Sequence, residues 1–197
     1  MEIHKWFYTK PVQIQSQPQL ILAHPHGILC CGVISMLHFV KKSNTIIAVA
    51  PILFYIPIFG WLLRYAGAIP ATYAFIKKTL KKHSVILVLD GIAGIVGMEN
   101  KTLYVENRFG AFKIAKQMNV PILPIWIHNE YNTFDILSLP LNYTRKYISE
   151  MIGLPLIFPY IFGWYGLWMP KRVRLSLSKG EIIKPELAVE KMKSLHV

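Results

Sequence analysis

Acidic residues are scarce in this chain: 10 Asp and Glu stand against 22 Lys and Arg in 197 residues, for a formal net charge of +12 at pH 7. Cysteine is scarcer, and the two present, Cys30 and Cys31, are adjacent. Neighbouring cysteines cannot build a disulfide framework and lack C-x-x-C spacing, so the chain reads as one that meets a reducing compartment. No N-terminal apolar segment ends in a small-residue cleavage site, which leaves a cytosol-facing membrane protein as the expectation. No G-x-x-x-x-G-K-[ST] stretch occurs, so the apolar run Ser84–Asp90 is not the Walker-B strand of a P-loop ATPase. Gly91, Gly94 and Gly97 are three residues apart, which is not the G-x-G-x-x-G dinucleotide fingerprint. With no zinc-finger spacing, RNP-like strand or long Lys/Arg run, no nucleic-acid partner is expected. Repeats, low-complexity tracts and linkers are also missing, so we expect a single domain. It has a lead-in arm over 1–18, a core over 19–185 and a C-terminal helix over 186–197.

What is abundant is apolar surface. Hydrophobic residues make up 53% and charged residues only 16%, and the mean hydropathy of +0.37 points to lipid contact. Residues 43–63 carry no charge, nominally enough to cross a bilayer. Pro51 and Pro57 interrupt them, however, and only Tyr55–Ala66 reads as a helix, better suited to lying in the interface. Ala71–Lys82 reads as a basic amphipathic helix, with Ala71, Phe75 and Leu80 on one face and Lys77, Lys78, Lys81 and Lys82 beside them. Its lysines suit a solvated face, anionic headgroups or cofactor phosphates. A second uncharged stretch, 151–170, is broken by Pro155 and Pro159, and its Trp164 and Trp168 suit a membrane interface.

The chemistry concentrates in Leu22-Ala23-His24-Pro25-His26-Gly27-Ile28. Gln19–Ala23 is short, apolar and strand-like, and 28–40 is long enough for a helix, so the two histidines fall on a strand-to-helix turn. Pro25 restricts the backbone on either side of it, and Gly27 permits close approach or positive φ. An imidazole fixed there titrates near neutrality and can take a proton from a hydroxyl. Structural histidines, half a metal site and surface polar residues are the competing readings. No second ligand pair exists among His4, His38, His83, His128 and His196, so no metal is expected. Thr45–Val49, Ser84–Asp90, Lys101–Glu106 and Pro121–Ile127 read as strands, Arg108–Met118 and Asn142–Met151 as helices, Arg172–Ser178 as an edge strand and Pro185–Leu195 as a closing helix. Gly91–Gly97 reads as a flexible connection or a turn that brings backbone close to substrate. The fold class is therefore α/β, a mixed, largely parallel sheet flanked by helices, with apolar membrane-lying helices. If the strands run parallel, His24, Asp90 and Glu130 share the carboxyl edge where ligands bind in such sheets.

Four segments in order resemble the diacylglycerol acyltransferase type-2 family, with its monoacylglycerol and wax-alcohol relatives, over residues 20 to 185. His24-Pro25-His26-Gly27 is similar to its H-P-H-G motif, and Asn107-Arg108-Phe109-Gly110-Ala111-Phe112 to its N-R-x-G-F segment with one extra residue. Val120–Glu130 is similar to its V-P-x-x-x-F-G-E segment, and 166–183 to its C-terminal L-P-x-x-x-P and V-G-x-P-I stretch. The chain departs from the pattern at Gly94, where G-G-x-x-E has glutamate, and at Asn129, where the family has glycine; without the family's N-terminal membrane hairpin in this sequence, anchoring is expected to come from the internal apolar segments. The resemblance implies a glycerolipid acyltransferase-like fold. It also implies transfer of a fatty acyl group from acyl-CoA, a co-substrate and not a bound cofactor, to a diacylglycerol or monoacylglycerol hydroxyl without a covalent enzyme intermediate. His26 would be the base and His24 its orienting partner, or the reverse. Glu130 would position the imidazole or shape the acceptor pocket. Asn107, Arg108, Asp90, Gly91 and Gly27 would serve substrate binding, with backbone N–H groups near Gly27 or in 91–97 facing the oxyanion. A lysophospholipid acceptor and an inactive lipid-binding protein are the alternatives. The expected setting is the cytosolic face of the endoplasmic reticulum or a lipid droplet; oligomeric state is left open.

Overall fold

A computed structural model of the chain describes residues 14, 16–40, 44–98, 110–136, 140–153, 155–156, 161–163 and 169–187. Its centre is a six-stranded sheet of β1 (Leu20–His24), β2 (Thr45–Val49), β3 (Ile69–Pro70), β4 (Ser84–Val88), β5 (Ile122–His128) and β8 (Ser176–Lys179), in the order β3-β2-β4-β1-β5-β8. The pairings from β3 to β5 are parallel, and β8 closes the edge antiparallel to β5. A separate two-stranded ribbon pairs β6 (Asp135–Ile136) with β7 (Ile161–Phe162). The expected mixed, largely parallel α/β sheet is thus observed.

β1 is central because its side chains are apolar on both faces, as a covered parallel strand requires. Leu20 and Leu22 point to a core shared with Val85, Ile122, α3 (Tyr73–Leu80) and α5 (Gly110–Met118). Ile21 and Ala23 point to the opposite core, with Ile86, Leu123, Ile125, Ile127 and α1 (Cys31–Val40). The period-two alternation assigns the two faces, and helices cover both.

Three expectations are corrected. The connection over 91–97 is helix α4 (Gly91–Gly97), not a loop, because Ile95 and Val96 are buried against Cys31, Phe134 and Leu175, and tertiary packing overrides glycine's poor helix propensity. On α3 the buried residues are Ile76 and Leu80, with Phe75 outside, so the apolar face is rotated from the one expected; the Thr72 side chain caps the helix start through Phe75 N–H. The helix expected over 55–66 is a 3₁₀ turn (Pro51–Tyr55) followed by α2 (Phe59–Tyr65), broken at Pro57. Helix α6 (Asn142–Ile152) matches its expected span, and α6 packs against α4. The strand expected over 101–106 and Trp164 and Trp168 lie outside the described residues. So does most of the closing helix, of which residues 185–187 form a turn.

No helix among the described residues is long and apolar enough to cross a membrane. Apolar residues nonetheless crowd one stretch of surface: Tyr55, Ile58, Trp61 and Tyr65 are each more than 60% exposed, and the Trp61 and Tyr65 rings stack.

Because Ile86 is fully buried in the central sheet, Ile86→Ala should cost about 2–5 kcal/mol. Ile58→Ala, at an exposed site, should cost far less. Chemical denaturation of both variants checks the contrast.

Candidate active site

The carboxyl ends of β1, β4 and β5 lie side by side, since β1 pairs in parallel with both neighbours. His24 ends β1, Asp90 follows β4 by two residues, and Glu130 follows β5 by two. The three residues expected at one edge are therefore brought together there. His24 and the carboxylates of Asp90 and Glu130 are buried, and His26 is half-buried.

Each carboxylate takes a different part of the turn. Asp90 accepts the His26 backbone N–H on both oxygens, at 3.0 and 3.1 Å. His24 Nδ1 lies 3.3 Å from Asp90 Oδ2 without a hydrogen bond between them, and among the described residues neither ring nitrogen of His24 has a hydrogen-bond partner. The Trp126 ring packs against that imidazole, 4.8 Å between centroids. Glu130, expected to position an imidazole or shape the acceptor pocket, binds the first turn of α1: Oε1 accepts from Cys31 N–H at 2.7 Å and Oε2 from Gly32 N–H at 2.8 Å. A helix start offers such unpaired donors, and its dipole favours the negative charge.

Gly27 is glycine for the sake of Glu130. A Cβ there would stand 2.1 Å from Glu130 Oε1, so the space that Gly27 leaves is occupied by this carboxylate. Gly91, by contrast, has φ +50° and open space where a Cβ would be, so its requirement is conformational. Asn107 and Arg108 lie outside the described residues.

The His26 ring is specified by its neighbours. Its Nδ1 lies 2.5 Å from the Gly27 carbonyl oxygen. A carbonyl can only accept, so Nδ1 carries the hydrogen and Nε2 is the basic nitrogen. Burial of the ring lowers its pKa below 6.5, outweighing the Asp90 charge and the Gly27 carbonyl, which raise it; the charge on His24 lowers it further. The base is therefore unprotonated at neutral pH. Cys30 Sγ sits 3.5 Å from both ring nitrogens. Burial and the Glu130 and Asp90 charges push this thiol far up, so it remains a thiol.

Cys30 was not legible as a neighbour of His26. It does not lie in the following helix but just before it, with φ +47°, and its four-residue offset from His26 was the available signal. Tyr131 was missed as well: its buried hydroxyl has no hydrogen-bond partner among the described residues, and burial together with the Asp90 and Glu130 charges raises it to about 12. Beside it opens a cavity of about 360 Å³, also lined by Met98, Asn132, Phe134, Asp135 and Lys171. No group of three His, Cys, Asp or Glu that could hold a metal ion occurs among the described residues.

Burial raises the Glu130 carboxyl from 4.5 to about 7, against the two backbone donors that lower it; Asp90 adds to the rise. The folded chain thus keeps a proton that the unfolded chain has lost between those values, and this contribution to stability declines as pH rises through the window. Glu130→Gln removes it. The melting temperature of wild type relative to Glu130→Gln should fall from pH 4.5 to pH 7, and calorimetry across that range checks the sign.

The family model described as diacylglycerol acyltransferase matches residues 5–184. No curated protein matches the chain, and no solved structure does. The chain belongs to the diacylglycerol acyltransferase family, whose membership suggests acyltransferase activity in glycerolipid synthesis.

Proposed function

We propose that this member of the diacylglycerol acyltransferase family moves a fatty acyl group from acyl-CoA directly to the hydroxyl of diacylglycerol or monoacylglycerol, with His26 as general base. The observation that carries the reading is the His26 ring at the carboxyl edge of the sheet: Nδ1 held by the Gly27 carbonyl, Nε2 basic, and the residue half-buried. The acceptor O–H gives its proton to Nε2 while its oxygen attacks the thioester carbonyl. Collapse of the tetrahedral intermediate breaks the C–S bond, and the imidazolium returns the proton to the departing thiolate. Backbone N–H groups around Gly27 are the donors we assign to the oxyanion. Such base assistance is typically worth about 10²- to 10⁴-fold in rate.

The aromatic surface of 52–65 supports attachment to the membrane interface, with the lysines of α3 nearby in sequence to meet anionic headgroups. The proposed setting is the cytosolic face of the endoplasmic reticulum or a lipid droplet.

The test supplies labelled oleoyl-CoA with diacylglycerol, monoacylglycerol, fatty alcohol or lysophospholipid. Label in a neutral glyceride, lost in His26→Ala by about 10²-fold or more, is expected; product only from lysophospholipid, or none, overturns the acceptor or the activity. Cys30→Ala should retain transfer, since the reaction passes through no enzyme thioester, and a covalent relay would lose it. The acid limb of kcat/KM should lie below pH 6.5, because the working base must be unprotonated and its pKa is lowered. Finally, Trp61→Ser with Tyr65→Ser should weaken co-flotation with anionic phospholipid vesicles, with the fold unchanged by circular dichroism.

A further inference from the structure

We propose that Asp90 is the positioning acid of the histidine turn, and that residue 94 must be glycine because the Asp90 carboxylate lies where its side chain would stand. The inference rests on the reading of the turn as an acyl-transfer centre.

One buried carboxylate reaches both histidines. It accepts the backbone N–H of His26 on both oxygens, and Oδ2 lies 3.3 Å from the ring Nδ1 of His24. Holding the N–H of His26 sets where the catalytic ring starts from the main chain. Oδ2 also stands against Nδ1 of His24 without a hydrogen bond, so the same carboxylate packs between the two histidines.

The position of Asp90 makes this choice informative. It is the N-cap of α4, where an aspartate ordinarily accepts a hydrogen bond from the first turn of its own helix. Here it makes no such bond and turns to the histidines instead. The helix forgoes its cap for the sake of the turn.

Gly94 is the condition for that rotamer. A Cβ at residue 94 would lie 2.0 Å from Oδ2 and 2.4 Å from Cγ of Asp90. Every L side chain at 94 therefore displaces the carboxylate from the histidines. The other ionisable groups around the pair are Cys30, which touches the His26 ring, and Glu130 and Tyr131, whose titration the Asp90 charge also raises.

The experiment compares wild type, Asp90→Asn and Gly94→Ala, as full chains in lipid nanodiscs with ¹⁵N-labelled histidine. Two quantities are read: the ring-nitrogen titrations of His24 and His26, and kcat and KM for acyl transfer. Asp90→Asn, nearly isosteric, should lower the His26 titration midpoint, since the Asp90 charge raises it, and reduce kcat at least about tenfold with KM little changed. Gly94→Ala should reproduce both effects without touching the Asp90 side chain chemically. Unmoved titrations in Asp90→Asn, or wild-type kcat in Gly94→Ala, overturn the proposal. Should the wild-type chain transfer no acyl group, the functional reading fails on that result alone, and the ring titrations still decide whether Asp90 governs the histidines.

Discussion

The structure depends on two buried carboxylates holding one short turn against the end of a parallel sheet. Asp90 takes the His26 N–H from the β4 side, and Glu130 takes two N–H groups of α1 from the β5 side. Burying charge is costly unless it is hydrogen-bonded, and both acids are matched to backbone donors that a strand-to-helix turn leaves unpaired. The glycines follow from this. Gly27 and Gly94 are not merely flexible; each leaves the volume into which one carboxylate fits. A rigid backbone then fixes the ring of His26, and the local carbonyl of Gly27 sets its tautomer.

Burial does two separate jobs around this turn. It lowers the His26 pKa, so the ring is free to accept a proton at neutral pH, and it raises the Cys30 thiol, so the sulfur beside that ring stays protonated. The same physical cause yields one base and one inert neighbour, because desolvation always disfavours the charged form. Environment, more than residue identity, separates their roles.

Much of this was legible from the sequence where the signal was local. The apolar runs 84–90 and 121–127 name central strands, and the parallel β-α-β order places His24, Asp90 and Glu130 at one edge. The roles at that edge were not legible, because they depend on which carboxylate reaches which donor. Glu130 and Asp90 each follow a strand by two residues, yet one caps a helix and the other serves the histidines. Gly91–Gly97 was misread for a related reason: three glycines argue for a loop, and only the packing of Ile95 and Val96 makes the segment helical. On α3, Ile76 rather than Phe75 is buried, since a short amphipathic helix with several exposed lysines leaves its rotation to tertiary contacts.

The most direct measurement is an experimental structure of the chain with a non-hydrolysable acyl-CoA thioether and a glyceride acceptor. The account predicts the acceptor hydroxyl within about 2.6–3.2 Å of His26 Nε2, with the carbonyl-equivalent carbon of the thioether next to that oxygen. An acceptor seated on His24 Nε2, or an acyl chain bound away from the carboxyl edge of β1, would contradict it.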